Sequence, residues 1–152
     1  MIHFEKADIC DAEELVEVKV GAFSEEVSLY GFGPTGYDSV EKEKRLIEKR
    51  FCYKILDEDK LVGGLTVIDR GNGHFRLSAI YIALDYQNKG VGTKAMKFIE
   101  KEFPQAKKWS LDTPYLSYRN HHFYESIGFK KVGETKPLEN GFYLFEYEKE
   151  IL

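Results

Sequence analysis

The stretch Tyr86-Gln87-Asn88-Lys89-Gly90-Val91-Gly92-Thr93 lies between two segments of different period. Before it, Leu77 to Leu84 is an apolar run that reads as a buried strand; after it, Val91, Ala95, Phe98, Ile99 and Phe103 recur at helical spacing through Phe103. The order is therefore strand, glycine loop, helix. A helix N-terminus presents backbone N–H groups without intrahelical partners and a partial positive charge, so it suits an anion such as a pyrophosphate. Gly90 and Gly92 let the backbone turn sharply and approach a ligand, while Lys89 and Lys94 add cationic side chains. The dinucleotide fingerprint, which needs a third glycine, does not fit, and neither does the P-loop, which needs Gly-Lys-Ser/Thr after a longer gap.

Working outward, Met1 to Ala7 predicts a first strand. Asp11, with Glu14 on the following turn, predicts a capped helix whose inner face carries Ala12, Leu15, Val16, Val20 and Phe23. Ser24 to Tyr37 mixes acids, aromatics and glycines and reads as a loop; a highly charged helix follows from about Asp38 to Arg50. Phe51 to Leu56, Leu61 to Ile68 and Phe75 to Ile82 predict an antiparallel meander turning at Asp57–Lys60 and Arg70–Gly73. Beyond the glycine loop and its helix come a strand at Lys108 to Thr113, a short helix over Ser117 to Ile127, and two strands, Phe129 to Thr135 and Gly141 to Glu148. Gly128 followed by Phe129 suits a left-handed helix end.

The 152 residues, 43% apolar and 14% aromatic, predict a single domain over residues 1–152 with a proper core, with no repeat or linker to divide it. Lys and Arg total 22 against 26 Asp and Glu, and no basic stretch interleaves with aromatics, which argues against a nucleic-acid partner. Neither a signal peptide nor a membrane-length apolar run is found, so a cytoplasmic protein without a membrane partner is expected. Cys10 and Cys52 match no disulfide or metal spacing and read as reduced thiols. His121 and His122 diverge by about 100° on a helix and cannot chelate one ion together; with only His3 and His74 besides, no metal is expected.

Gln87 to Gly92, Gln-x-x-Gly-x-Gly, resembles the acyl-CoA loop of the GNAT superfamily of N-acetyltransferases, in which Arg or Gln opens the motif and successive amides bind the pyrophosphate of coenzyme A. Asn120-His121-His122-Phe123-Tyr124-Glu125-Ser126-Ile127-Gly128-Phe129 resembles that family's C-terminal Asn...Phe-Tyr-Glu-x-x-Gly-Phe segment. Many members place an Asn seven residues before the Tyr. Ser117 stands there in this chain, and Asn120 lies only four before, so which of the two contacts the cofactor stays open. The order of elements is similar to the complete GNAT topology, so the resemblance spans nearly the whole chain.

The resemblance implies an α/β (α+β) fold, a mixed, mostly antiparallel six- to seven-stranded sheet flanked by about four helices and splayed open to hold acetyl-CoA. It implies transfer of acetyl directly to a primary amine, on a small molecule or a peptide, with a homodimer possible. By the same likeness Gln87, Asn88, Lys89, Gly90, Val91, Gly92 and Thr93 form the diphosphate loop. Ile80, Tyr81 and Ile82 include the backbone N–H that stabilises the developing oxyanion, Asn120 contacts pantetheine, and Tyr124 gives the leaving thiolate its proton. A non-catalytic acyl-CoA sensor or interaction module would share the cofactor residues and release no thiol. An alkyl amine with a pKa of about 10.4 also needs about 4.6 kcal/mol to free its lone pair at pH 7. Glu25, Glu26, His74 and Asp112 are the groups available to offset that cost, and nothing in the sequence orders them. The loop holding Glu25 and Glu26 falls where the family builds its acceptor wall.

Overall fold

The computed structural model describes residues Met1–Leu152. Its strands are β1 (Ile2–Lys6), β2 (Phe51–Asp57), β3 (Lys60–Gly71), β4 (His74–Ile82), β5 (Lys108–Pro114), β6 (Lys130–Glu134) and β7 (Leu144–Glu150). The helices are α1 (Ala12–Ala22), α2 (Ser24–Tyr30), α3 (Val40–Lys49), α4 (Val91–Glu102) and α5 (Tyr118–Ser126). The seven strands form one sheet in the order β1-β2-β3-β4-β5-β7-β6. The pairs β1–β2, β2–β3, β5–β7 and β6–β7 are antiparallel, and β4–β5 is parallel through His74–Lys108, Phe75–Trp109 and Arg76–Ser110. The mixed, mostly antiparallel sheet that the resemblance implied is thus found, with seven strands. No helix is long and apolar enough to cross a membrane.

The chain groups into two compact units, Met1–Val67 with Ala79–Pro104, and Ile68–Ser78 with Gln105–Leu152. In the first, one sheet face carries an aromatic group: Phe4 stacks on Phe98 at 4.5 Å, Tyr53 meets Phe98 edge-on at 5.0 Å, and Phe51 meets Phe103 at 5.1 Å. The α4 side chains Val91, Ala95, Met96 and Ile99 are buried, as their spacing requires. A second cluster joins Ala7, Leu15, Cys52, Leu56, Leu61 and Tyr81, with Val18, Ala22, Phe23, Leu46 and Ile47 packed against it.

Two charges belong to the interior here. Lys19 of α1 is 5% exposed and Glu43 of α3 1% exposed, and they form an ion pair. The inner face of α1 is accordingly Ala12, Leu15, Val16 and Lys19, while Val20, expected inside, is 41% exposed. Helix α2 corrects the reading of Ser24–Tyr37 as all loop. Its first turn holds Glu25 and Glu26, favourable at the positive end of a helix, and it stops at Gly31, where φ is 84° and the N–H returns to Val27 at 2.8 Å. Asp11 also differs from expectation. It makes no side-chain cap to α1; its carboxylate accepts from the Asp8 N–H at 2.7 Å and pairs with Lys54 at 3.3 Å.

In the second unit β7 pairs with β5 from Lys108–Glu150 to Pro114–Leu144 and with β6 on its other edge. Buried Phe75 and Trp109 lie 5.5 Å apart, and Tyr124, Phe129 and Tyr147 group around the inner face of α5. Gly128 has φ 103°, the left-handed helix end foreseen, and the Phe129 N–H reaches the Tyr124 carbonyl at 3.0 Å. Strand β7 starts at Leu144 rather than Gly141, because Gly141 (φ 86°) and Asn140, whose side chain accepts from the Phe142 N–H at 3.0 Å, extend the turn.

The two cysteines are free thiols, Cys10 exposed and Cys52 buried, and burial pushes the Cys52 thiol up to about 11. Under native conditions iodoacetamide is expected to label Cys10 alone, with Cys52 reacting only after denaturant is added; intact mass measured over time distinguishes the two.

Candidate active site

After β4 the chain makes a short 3-10 turn, Leu84–Tyr86, and enters α4 through the glycine loop. Asn88 and Gly90 both have left-handed backbone, φ 62° and 81°. This conformation is open to glycine and tolerated by asparagine, which explains the residue types at these two positions. A β-carbon at Gly90 would meet nothing within 4 Å, so the glycine serves the backbone turn and leaves open space beside it. The α4 ladder begins with the Lys94 N–H to the Gly90 carbonyl at 3.1 Å. The amides of Val91, Gly92 and Thr93 precede it and have no intrahelical acceptor by helix geometry. Asn88, Lys89 and Gly90 are exposed, and the Lys89 ammonium sits 5.9 Å over the Tyr86 ring.

Gln87 turns inward. Its side-chain N–H donates to the Ile82 carbonyl at 2.9 Å, tying the loop to the end of β4. Tyr86 is held beside it by its hydroxyl, which donates to Asp57 at 2.8 Å. Within this unit, then, Gln87 and the Ile80–Ile82 segment are brought together by a direct bond. Tyr81 is 4% exposed, with its ring beneath the Lys19 ammonium at 5.0 Å and 6.2 Å from that of Phe23. Its phenol is held well above the usual range, by burial first and by the charge of Glu43 second, so it stays protonated.

In the other unit α5 carries Tyr124, 7% exposed, with Phe123, Phe129 and Tyr147 rings at 5.2, 5.7 and 6.3 Å. Asn120 sits one turn earlier, and its amide N–H donates to the hydroxyl of buried Thr113 on β5 at 3.3 Å. Ser117 precedes the helix, and its carbonyl accepts the His121 N–H at 3.0 Å. His121 is buried, stacked on Phe145 at 4.4 Å with Nε2 2.9 Å from the Pro114 carbonyl, whereas His122 is exposed. Their divergence on the helix gives the neighbours different surroundings.

The acid–base candidates separate by environment. Asp112 is engaged by Arg76 at 2.8 Å. His74 lies 2.7 Å from the Ser110 hydroxyl, and burial, with Lys108 adding to it, lowers its pKa and favours the neutral ring. Glu25 is exposed, but Glu26, next to it on α2, is half-buried, and that burial raises its carboxyl above the usual range. Two features escaped the sequence reading: the Lys19–Glu43 pair, and the close approach of Tyr81 to Gly63 and Gly64 on β3, where an added β-carbon would stand within 2.4 Å of Tyr81 atoms. The adjacent glycines inside a strand were the available signal for the second.

The profile of the acetyltransferase (GNAT) family matches residues 17–129. Over 93 residues the chain is 34% identical to the uncharacterized protein YrkN of Bacillus subtilis (strain 168), an alignment covering 60% of this chain and 50% of that one. It thus spans about half the length of the curated relative it matches. Among solved structures it is similar to the PaiA N-acetyltransferase of Thermoplasma acidophilum in complex with coenzyme A, with TM-score 0.81, 19% identity and 99% of each chain covered. It is likewise similar to an acetyltransferase of Thermus thermophilus, with TM-score 0.84, 18% identity, and 99% of this chain and 97% of that one covered.

The state of Glu26 has a measurable consequence. Because burial raises its pKa, the folded chain binds more protons than the unfolded one, so this group's contribution to stability falls as pH rises from the ordinary value of 4.5 through the raised folded value. Glu26→Gln is therefore expected to raise the urea midpoint relative to the parent protein above that window and to lose this advantage below it; paired denaturation curves across the acid range read the difference.

Proposed function

Because the chain belongs to the acetyltransferase (GNAT) family, we propose that it transfers acetyl from acetyl-CoA directly to a primary amine on a small molecule or peptide. The observation that carries this reading is the strand-to-helix turn at Gly90, whose left-handed backbone opens α4 with amides lying ahead of its hydrogen-bond ladder. The chemistry of that donor set fits a diphosphate: main-chain N–H groups, the positive end of a helix, exposed lysines, and no side chain within reach of a β-carbon at Gly90. The residues that would hold it are Asn88, Lys89, Gly90, Val91, Gly92 and Thr93, with Gln87 bracing the loop through Ile82.

Acetyl-CoA supplies an activated acetyl group, and the chain's own residues do the rest. A backbone N–H from Ile80–Ile82 polarises the carbonyl, a role that needs a donor fixed beforehand. Tyr124 carries a phenol on a helix braced by packed rings and gives the departing sulfur its proton. Asn120, one turn before Tyr124 on α5, steadies the end of β5 through Thr113. Glu26 receives the cationic acceptor. A half-buried carboxylate attracts an ammonium more strongly than an exposed one does, and its raised pKa makes it the better base for the proton that must leave.

A panel of amines with acetyl-CoA, followed by thiol release, tests the activity, and binding of coenzyme A without thiol release from any acceptor would favour the sensor alternative. With an acceptor in hand, Tyr124→Phe is expected to lower kcat by about a hundredfold and leave the KM for acetyl-CoA nearly unchanged. Full turnover by that variant removes the phenol from the chemistry.

A further inference from the structure

Helix α1 presents two different faces. Ala12, Leu15, Val16 and Lys19 are buried, whereas Glu13, Glu14, Glu17 and Val20 are exposed. Lys19 is the only cation on the helix, and it is engaged inside with Glu43 of α3. The outer surface of α1 therefore carries three carboxylates and no positive charge. Glu13 and Glu14 lie in the first turn, where negative charge is favourable at the positive end of a helix. Glu17 has no such support. It follows Glu13 by four residues, the spacing at which like charges repel on a helix surface, and neither carboxylate is in an ion pair.

Beside those acids lies an apolar floor. Val16, Val20 and Val40 line a groove of about 430 Å³ together with Glu13 and Glu17, where the start of α3 lies against α1. Val16 is 7% exposed and Val20 41%, so the floor runs from the core out to the surface. The α3 side is fixed, because the Ser39 side chain accepts from the Lys42 N–H at 3.1 Å and caps the helix immediately before Val40. An exposed valine on its own needs no explanation. An apolar strip beside unpaired carboxylates does, since a basic residue in place of Glu17 would pair with Glu13 along the same face.

Three occupants can be weighed. A small molecule is a poor match, because a ligand pocket covers most of its ligand, and this groove has one helix face and a single residue of a second helix. A second copy of the chain is a poor match too, because a two-fold contact would bring the same acids against each other. A helix of opposite charge fits. Side chains four apart on it lie about 6 Å from one another, as those of Glu13 and Glu17 do, and an apolar strip bordered by cations complements valines bordered by acids.

We propose that this groove docks a basic amphipathic helix of a partner protein, with apolar side chains on Val16, Val20 and Val40 and lysine or arginine side chains on Glu13 and Glu17. Docking here does not depend on acetyl transfer. Protein labelled with [15N]valine tests it, titrated with a synthetic helix of leucine, lysine and alanine whose leucines share one face and whose lysines stand four apart along its border. A scrambled peptide of the same composition is the control. The amides of Val16, Val20 and Val40 are expected to shift saturably with the patterned peptide, while that of Val132, an exposed valine on β6, does not move. Glu17→Lys weakens binding about tenfold. Glu139→Lys, the same change of net charge at an exposed position of the β6–β7 connection, weakens it less than about twofold. Val20→Asp adds a negative charge and still weakens binding, by about fivefold, and Val20→Gln does so without a change of charge.

Equal binding of the scrambled peptide, or tighter binding by Val20→Asp, leaves charge attraction alone and overturns the inference. So does an equal loss in Glu17→Lys and Glu139→Lys, or silence of the three valines at millimolar peptide. Butylamine that shifts those valines as strongly as the peptide puts a small cation in the groove instead. Sedimentation of the protein alone addresses the remaining occupant: a dimer that Val20→Asp dissociates gives the groove to a second copy, and the partner helix is excluded.

Discussion

Backbone polar groups at the end of a strand must find partners or face water, and beyond Ile82 this chain finds them within a few residues. The Val62 carbonyl takes the Ala83 N–H at 2.8 Å, the Ala83 carbonyl takes the Tyr86 N–H at 2.8 Å, and the Gln87 side chain returns to the Ile82 carbonyl at 2.9 Å. Only then does the backbone enter left-handed space at Asn88 and Gly90 and start α4. The amides at the head of that helix are thus oriented before any ligand arrives. A loop ordered in advance loses less entropy on binding than one that must be ordered by its ligand.

The burial of charge in the Met1–Val67 and Ala79–Pro104 unit follows a different logic. Lys19 and Glu43 are buried beside Tyr81 and Cys52, which belong to the apolar cluster with Leu15, Leu56 and Leu61. Removing either partner alone would strand the other charge in that apolar setting, a loss on the order of 3–5 kcal/mol. The pair is coupled to its surroundings as well: the negative end contributes to raising both the Cys52 thiol and the Tyr81 phenol. Neither group ionises near neutral pH, so the ring over which the paired Lys19 ammonium lies belongs to a neutral phenol.

Much of this was legible in the sequence, and the reasons differ by element. Helix α4 follows from Val91, Ala95, Phe98 and Ile99, whose spacing has one reading, and Gly128 at the end of α5 declares itself because only a glycine suits φ 103° there. Helix α2 was hidden because Glu25, Glu26 and Ser28 alternate with Val27 and Leu29 over too few residues to show a period, and the glycines that suggested a loop begin only at Gly31. Lys19 and Glu43 were hidden for another reason. A lysine or glutamate on a helix is normally solvated, and the partner that makes burial tolerable lies 24 positions away on another helix. Asn120 was legible as an amide on α5, but its bond to Thr113 depends on how α5 lies against β5, which no local pattern encodes.

On the proposed acetyl-transfer reading, the short run from Ile80 to Thr93 carries two kinds of donor with different energetic effects. Amides at the head of α4 would meet a diphosphate whose charge does not change during acyl transfer, so whatever they contribute would be the same before and at the transition state. Such uniform binding lowers KM and leaves kcat alone. A backbone N–H from Ile80–Ile82 aimed at the thioester carbonyl would gain strength as negative charge builds there, so its contribution would fall on kcat. Gln87 bonds to the Ile82 carbonyl and thereby joins the two, since the residue that opens the loop also steadies the end of β4. On that reading the residues around Gly90 act on affinity and the Ile80–Ile82 amides on turnover, although one continuous segment of chain carries both.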